Sequence, residues 1–393
     1  MIDKVPGKII FLLALAAFAS TSAFRVLDPA LPELSEEFGI TTGRAADVVT
    51  YFALAYGLLQ FFYGPVGDRF GKYGTLATAT LLCAGGNLFV VFAPTFEWVL
   101  VGRFVSGGTA AAIVPLSMAW IGDHVAYENR QETLAQFMTG TILGVSAGLV
   151  IGGAFTDTVG WRGAFIFLAA LYLVVGLWLL AQRHQVPEHD TGATGRLQLW
   201  TPIKMVLITP WARVVLLVVL IEGAMVFGGL SFVPAYLQVR HGLSSTVAGL
   251  VTALFGLGAL LYVMRARWLV ARLGEMKLVL IGGWVLCLSY VMYLVTEQWY
   301  WAMVASALCG FAYYLMHAVL QTNATQMAPE VRGTAVSLFA SFLFAGQALG
   351  VAGGAFVVDG LGISWVLVIA AVTLPILGMV FSAALAKEKK RMA

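Results

Sequence analysis

Apolar runs of helical length recur along this chain from end to end, broken only by short polar stretches. Reading between the interruptions gives twelve, at about 8–32, 44–67, 75–95, 98–121, 132–157, 161–182, 211–238, 245–268, 275–296, 299–322, 334–358 and 364–386. A bilayer core about 30 Å thick demands a helix of about 20 apolar residues, because every backbone amide must be satisfied within the segment. Composition points the same way: 60% of the 393 residues are hydrophobic and 11% charged, against about 25% charged in an average soluble domain. The chain reads as an all-α integral membrane protein, with the lipid bilayer as its principal solvent.

The basic residues orient it. With an even number of spans and the N-terminus inside, 18 of the 23 lysines and arginines fall on inner loops and ends, while Arg44, Arg162 and Arg240 lie outside and Arg25 and Arg103 within helices. That asymmetry is the positive-inside pattern, and it predicts a multi-pass protein of the cell (inner) membrane with both termini cytoplasmic. Lys4 and Lys8 ahead of IIFLLALAAFASTSAF also resemble the start of a signal peptide. The internal repeat makes that segment part of the body instead.

The longest polar interruption, Arg183 to Met205, carries the Pro, Gly and charge mix of a linker. It divides the chain into six-helix halves, 1–182 and 211–393, joined by a cytoplasmic linker at 183–210. Sliding the second half by 203 residues aligns 39–71 with 242–274 without a gap, and Gly39/Gly242, Ala45/Ala248, Val48/Val251, Phe52/Phe255, Arg69/Arg272 and Gly71/Gly274 are identical. GGAF recurs at 152–155 and 353–356. Colinear matches at offsets of 201 to 203 argue for internal duplication, and parallel six-helix repeats are a transporter architecture.

Between the second and third segments lies GPVGDRFGKYG, which supplies Gly64, Asp68, Arg69, Gly71 and Lys72 on the inner side. In that place and order the chain resembles the major facilitator superfamily over essentially its whole length. The resemblance implies twelve transmembrane helices in two pseudo-symmetric six-helix bundles, moving a small-molecule substrate by alternating access. Asp68 is expected to face the start of the eleventh helix near Thr334 and Ala335, and Arg69 to pair with Asp123, closing the inner side in one conformation. The second copy has Ala271 in place of the Asp, so this conformational switch is asymmetric.

Two further stretches resemble the drug:proton antiporter branch: Arg103 with Gly107 and Gly108 in the fourth segment, and Gly144, Gly148, Gly152 and Gly153 in the fifth. Exporters carry proline after the second of these glycines, where this chain has Leu149. Glycines at such spacing also let two helices approach closely, which makes them helix-packing residues.

Ionisable residues inside a bilayer are costly and mark function. Four qualify: Arg25, Asp28, Arg103 and Glu222. Glu222 lies roughly 13 Å beyond Arg213, near the midplane, with no basic residue within a turn or two, and is the expected carrier of a coupling proton. Asp28, beside Arg25, is the expected anchor and the second candidate. Thr21, Arg25 and Asp28 share a helical face, so a cluster of Arg25, Asp28 and Arg103 is geometrically possible. The tenth segment carries a stripe of Gly310, Tyr313, Tyr314, His317 and Gln321. By resemblance, helices 1, 4, 7 and 10 line the central cavity, which makes Arg25, Arg103, Glu222, Tyr313, Tyr314, His317 and Gln321 the expected substrate-binding residues.

Three functions compete. The first is a proton-coupled exporter of small amphipathic or drug-like molecules. The second is a symporter or importer of a polar or anionic metabolite, favoured by the cavity arginines and Leu149. A membrane enzyme or receptor is the third, but no phosphate-cradling loop, metal-ligand spacing or nucleophile motif supports catalysis. Neither cofactor nor metal is expected, and Cys83, Cys287 and Cys309 read as packing residues. The tail KEKKR fits a membrane surface better than nucleic acid. A monomer is the family's usual state.

Overall fold

A computed structural model describes residues 7–185 and 200–392. Seven helices long enough to cross a membrane come first: α1 (Gly7–Phe38), α2 (Thr42–Phe70), α3 (Lys72–Val91), α4 (Phe96–His124), α5 (Asn129–Thr158), α6 (Trp161–Gln182) and α7 (Pro210–His241). Ser245–Val295 follows as 51 continuous residues, which would be about 75 Å long if straight. Gly274 breaks it with φ 70° and ψ 165°, giving α8 (245–273) and α9 (275–295). The last three are α10 (Trp301–Ala324), α11 (Pro329–Leu361) and α12 (Ile363–Arg391). Twelve spans result, within a few residues of the sequence reading, except that α1 runs on to Phe38. It does so through a 3-10 turn at Asp28–Ala30 that lets LPELSEEF continue as an amphipathic helix. Of the expected linker at 183–210, residues 186–199 lie outside the described residues, and Trp200–Ile208 forms a short helix.

Each half has its own core, and the first, built on Ile9 to Leu179, is joined by Phe232, Ala235, Ala348, Val351 and Val366 of the second, whose own core runs from Val206 to Leu385. The backbones of the halves repeat. Among the described residues all six with positive φ are glycines, and they fall into pairs: Gly39 with Gly242, Gly71 with Gly274, and Gly160 with Gly362. A left-handed turn at matching positions needs glycine, because a Cβ clashes there. The duplication is therefore visible in the backbone itself.

Each half also has a close helix seam. Along α5, Gly140, Gly144, Gly148 and Gly152 press on the α1 backbone at Ala14, Phe18, Ser22 and Val26; a Cβ on Gly148 would lie 2.3 Å from the Ser22 carbonyl oxygen. In the second half Gly346 and Gly350 of α11 meet Leu220 and Ala224 of α7 in the same way. Small residues permit this approach, and helices in lipid gain from the packing.

The two bundles meet along α2 with α11 and α5 with α8, and the contact is uneven along the membrane normal. Among the described residues, the hydrogen bonds between halves lie from the middle of the bundle toward the end holding Thr41, Asp157, Ser245 and Asp359. At the opposite end Gly64 of α2 and Gly333 of α11 have open space where a side chain would sit. The bonds that tie the halves together thus gather on the side away from Asp68.

Candidate functional site

Charged residues in the spans gather where the helices depart from regular geometry. In the first half the departure is the 3-10 turn at Asp28–Ala30, forced by Pro29. Just before it Arg25 is completely buried. Its Nη2 lies 2.8 Å from Asp28 Oδ2, and its Nη1 donates to Ser231 Oγ of α7 at 3.1 Å. Arg25 thus bridges the two halves while neutralised by its neighbour.

Arg103 does not complete that ion pair. Its Nε donates to the Val48 carbonyl at 3.0 Å and its Nη1 to the Ala23 carbonyl at 2.9 Å, with the guanidinium 4.2 Å above the Phe52 ring. Asp28 still feels the charges of both Arg25 and Arg103, so the three residues stand near one another, with one direct ion pair and one main-chain clamp. The reason is that α4 approaches α2 closely at Gly107, against the Phe52 backbone, which puts Arg103 among main-chain oxygens.

In the second half the departure is a π-helical turn, Gly223–Phe227, starting one residue after Glu222. Such bulges occur frequently at functional sites, because they re-aim a side chain without ending the helix. Glu222 is fully buried, and its Oε2 lies 2.7 Å from His317 Nδ1 across 95 residues of chain. The imidazole stacks on Tyr313, centroids 4.7 Å apart, and also meets Phe339 of α11. His317 is 7% exposed, so the pair is enclosed but not sealed. Of the remaining stripe, Tyr313 is buried, Tyr314 half-buried and Gln321 exposed, while Gly310 packs on the Phe255 backbone of α8.

A cavity of about 110 Å³ lies between the halves, lined by Ser20, Thr21, Phe24 and Arg25 of α1, Tyr56 of α2, Val145 of α5, Phe227 of α7, and Leu343, Phe344 and Gln347 of α11. Helices 4 and 10 contribute nothing to it, contrary to the expected lining by 1, 4, 7 and 10. This cavity draws on α2 and α11 beside α1 and α7. Arg103, Glu222 and the α10 residues are not among those lining it. Tyr56 and Gln347, which the sequence reading missed, face it; Gln347 is one turn before Val351 on the buried side of α11, the only signal it offered.

At the inner knot Asp123 is held by Lys72 at 2.5 Å, not by Arg69. Lys72 Nζ also lies 3.3 Å from Asp68 Oδ1, while Arg69 sits over the Phe70 ring. The positive φ at Gly71 turns Lys72 into the first turn of α3, back toward α4. Gly64 is in open space, and Gly67 packs tightly on Leu116. Gly153 of α5, unlike its neighbours on the α1 seam, faces the Ser245 backbone of α8.

Comparisons with known proteins agree with this architecture. The model of the Major Facilitator Superfamily matches residues 13–263 and 234–393. The chain is 26% identical over 336 residues to an uncharacterised MFS-type transporter, YceJ, of Bacillus subtilis, covering 83% of each chain. It is 25% identical over 182 residues to the chloramphenicol resistance protein CraA of Acinetobacter baumannii, covering 46% of this chain and 43% of that one. In fold it matches the crystal structure of a bacterial homologue of the human lysosomal transporter Spinster, inward-facing and unoccupied, with a TM-score of 0.76, 17% identity and coverage of 97% and 96%.

Proposed function

The chain belongs to the Major Facilitator Superfamily, an integral multi-pass membrane transporter by descent, and from that premise we propose that it is a proton-coupled antiporter exporting small amphipathic molecules. The observation that carries the reading is the enclosed Glu222–His317 pair at the α7 bulge. Both partners can exist neutral or charged, so together they can hold a proton within the bundle and pass it on when the surrounding helices rearrange. Arg25 and Asp28, by contrast, neutralise each other across one helical turn. The excess of basic residues on inner loops supports an inner-membrane protein with cytoplasmic termini, which puts the side carrying Asp68 in the cytoplasm. A monomer suffices, because each chain carries both halves.

Export is supported by the Arg103 and Gly107 pattern in α4 and by the likeness to a chloramphenicol resistance protein. The cavity fits such a cargo: the rings of Phe24, Tyr56, Phe227 and Phe344 surround a few hydroxyl and amide groups. A second reading, transport of an organic anion, is favoured by one feature. Among the described residues lining the cavity, Arg25 is the only charged one.

The test uses inside-out vesicles with an acidic lumen and a panel of cationic, neutral and anionic compounds. A proton leaving the lumen should drive an amphipathic compound into it, with alkalinisation dependent on that compound. Uptake confined to right-side-out vesicles, with proton and compound moving together, would replace export with symport.

A further inference from the structure

The side of the molecule away from Asp68 is closed by two carboxylates that no part of the transport reading uses. Asp359, in the last turn of α11, accepts from the Gly43 amide at 3.0 Å with Oδ1 and from the Thr41 hydroxyl at 2.7 Å with Oδ2. Asp157, in the last turn of α5, accepts from the Ser245 amide at 3.0 Å with Oδ1 and from the Thr246 amide at 2.7 Å with Oδ2. Each contact joins one half to the first turn of a helix in the other.

The two arrangements correspond position by position. Thr246 stands 203 residues after Gly43, and Ser244 after Thr41. Thr41 caps α2 by accepting from the Arg44 amide at 3.1 Å, and Ser244 caps α8 by accepting from the Val247 amide at 3.3 Å. Both aspartates stand three residues before the positive-φ glycine at the junction of their helix with the next, Gly160 or Gly362. Both contacts are tight as well. A Cβ on Gly43 would fall 2.4 Å from the Ala355 carbonyl oxygen, and one on Gly153 2.3 Å from that of Ser245.

An acid in the last turn of a helix faces the negative end of that helix's own dipole, which is unfavourable, whereas the first turn of another helix offers free amides and positive potential. Asp157 and Asp359 therefore gain from contact with the opposite half what their own helices deny them. That gain exists only while the bundles are together on this side. We infer that Asp157 and Asp359 are a duplicated pair of gate latches, positioning residues that hold the outer side shut and bias the transporter toward the conformation open to the cytoplasm. On the inner side Asp68 is the expected counterpart of these latches, and its own partner in the second half is replaced by Ala271. Two latches on one side and one on the other set the resting preference.

The experiment needs neither the substrate nor the coupling ion, so its failure is separate from a failure of the export reading. A cysteine reporter, Val145→Cys, lines the cavity beneath the latches. Its labelling by an impermeant maleimide applied outside intact cells is measured in the parent and in Asp157→Asn, Asp359→Asn and the double variant, with the same chain lacking the reporter as background. Each single change should raise the outside labelling rate by about five-fold, and the double by about the product, as expected for loss of one and then two charge contacts with helix ends. Labelling from the inside should fall in parallel. Asp68→Asn in the same background should shift labelling the opposite way. Unchanged outside labelling in folded, monodisperse double variant would overturn the proposal. So would a rise in both inside and outside labelling with a lowered melting temperature, since that pattern means the aspartates only support the fold.

Discussion

Arg103 and Glu222 are both completely buried, each in a six-helix bundle built to the same plan, yet their surroundings give them different capacities. Arg103 donates to two main-chain carbonyls and lies on an aromatic face, so its charge is fixed and tied to the backbones of α1 and α2. Glu222 has a titratable partner, His317, on a helix bulge that tertiary contacts can reshape. A guanidinium stays protonated, whereas a carboxyl and an imidazole exchange protons. At these two positions one repeat thus holds permanent charge and the other holds charge that can change. The lesson is that duplication supplies the frame, and divergence at single positions assigns the work.

The comparison breaks most visibly at Glu222. Glu222→Gln should abolish accumulation driven by a proton gradient while leaving substrate exchange measurable; accumulation with normal pH dependence would move the proton to Asp28. Next in size, Arg103→Met should lose stability, about 3 kcal/mol for two charge-assisted hydrogen bonds, read as thermal or denaturant unfolding in detergent. If Arg103→Met retained its stability but lost coupling, the fixed-charge description of the first half would fail. His317→Gln should be milder than Glu222→Gln, shifting the pH profile of transport and lowering its rate several-fold, because the amide can still donate to the carboxylate. Loss as complete as at Glu222 would make the imidazole the carrier.

The smallest expected effect is at the inner knot. If Asp68 faces the start of α11 when the inner side shuts, Asp68→Asn removes a charge contact worth about 0.3–1 kcal/mol at an exposed helix end. Turnover should fall while substrate affinity changes little, and accessibility from the cytoplasm should rise. Normal turnover with unchanged accessibility would leave Asp68 as an orientation signal only.

Much of the frame was legible because membrane helices obey a one-dimensional rule. Lipid forces each span to satisfy its own backbone, so length and hydropathy alone located twelve of them. The knot at Asp68 and the 203-residue repeat were likewise local or colinear patterns. The packing of Gly144, Gly148 and Gly152 on α1 shows in their four-residue spacing, and Gly140 extends the same series although the reading began one turn later. The latching aspartates had a faint signal too, each standing three residues before a glycine at a helix junction.

What the sequence by itself determined is the solvent, the number of spans, the duplication and the four charged residues buried in lipid-length segments. Only the tertiary structure decided what those charges meet. It gave Asp123 to Lys72 and not to Arg69, turned Arg103 onto the carbonyls of Val48 and Ala23, and put Tyr56 and Gln347 in the cavity wall in place of residues from α4 and α10. It also brought His317 to Glu222. The physical reason is that partners of this kind depend on helix rotation and on how far the bundles have parted. Both are set by contacts summed over whole helix surfaces, and nothing in the order of residues along one segment fixes them.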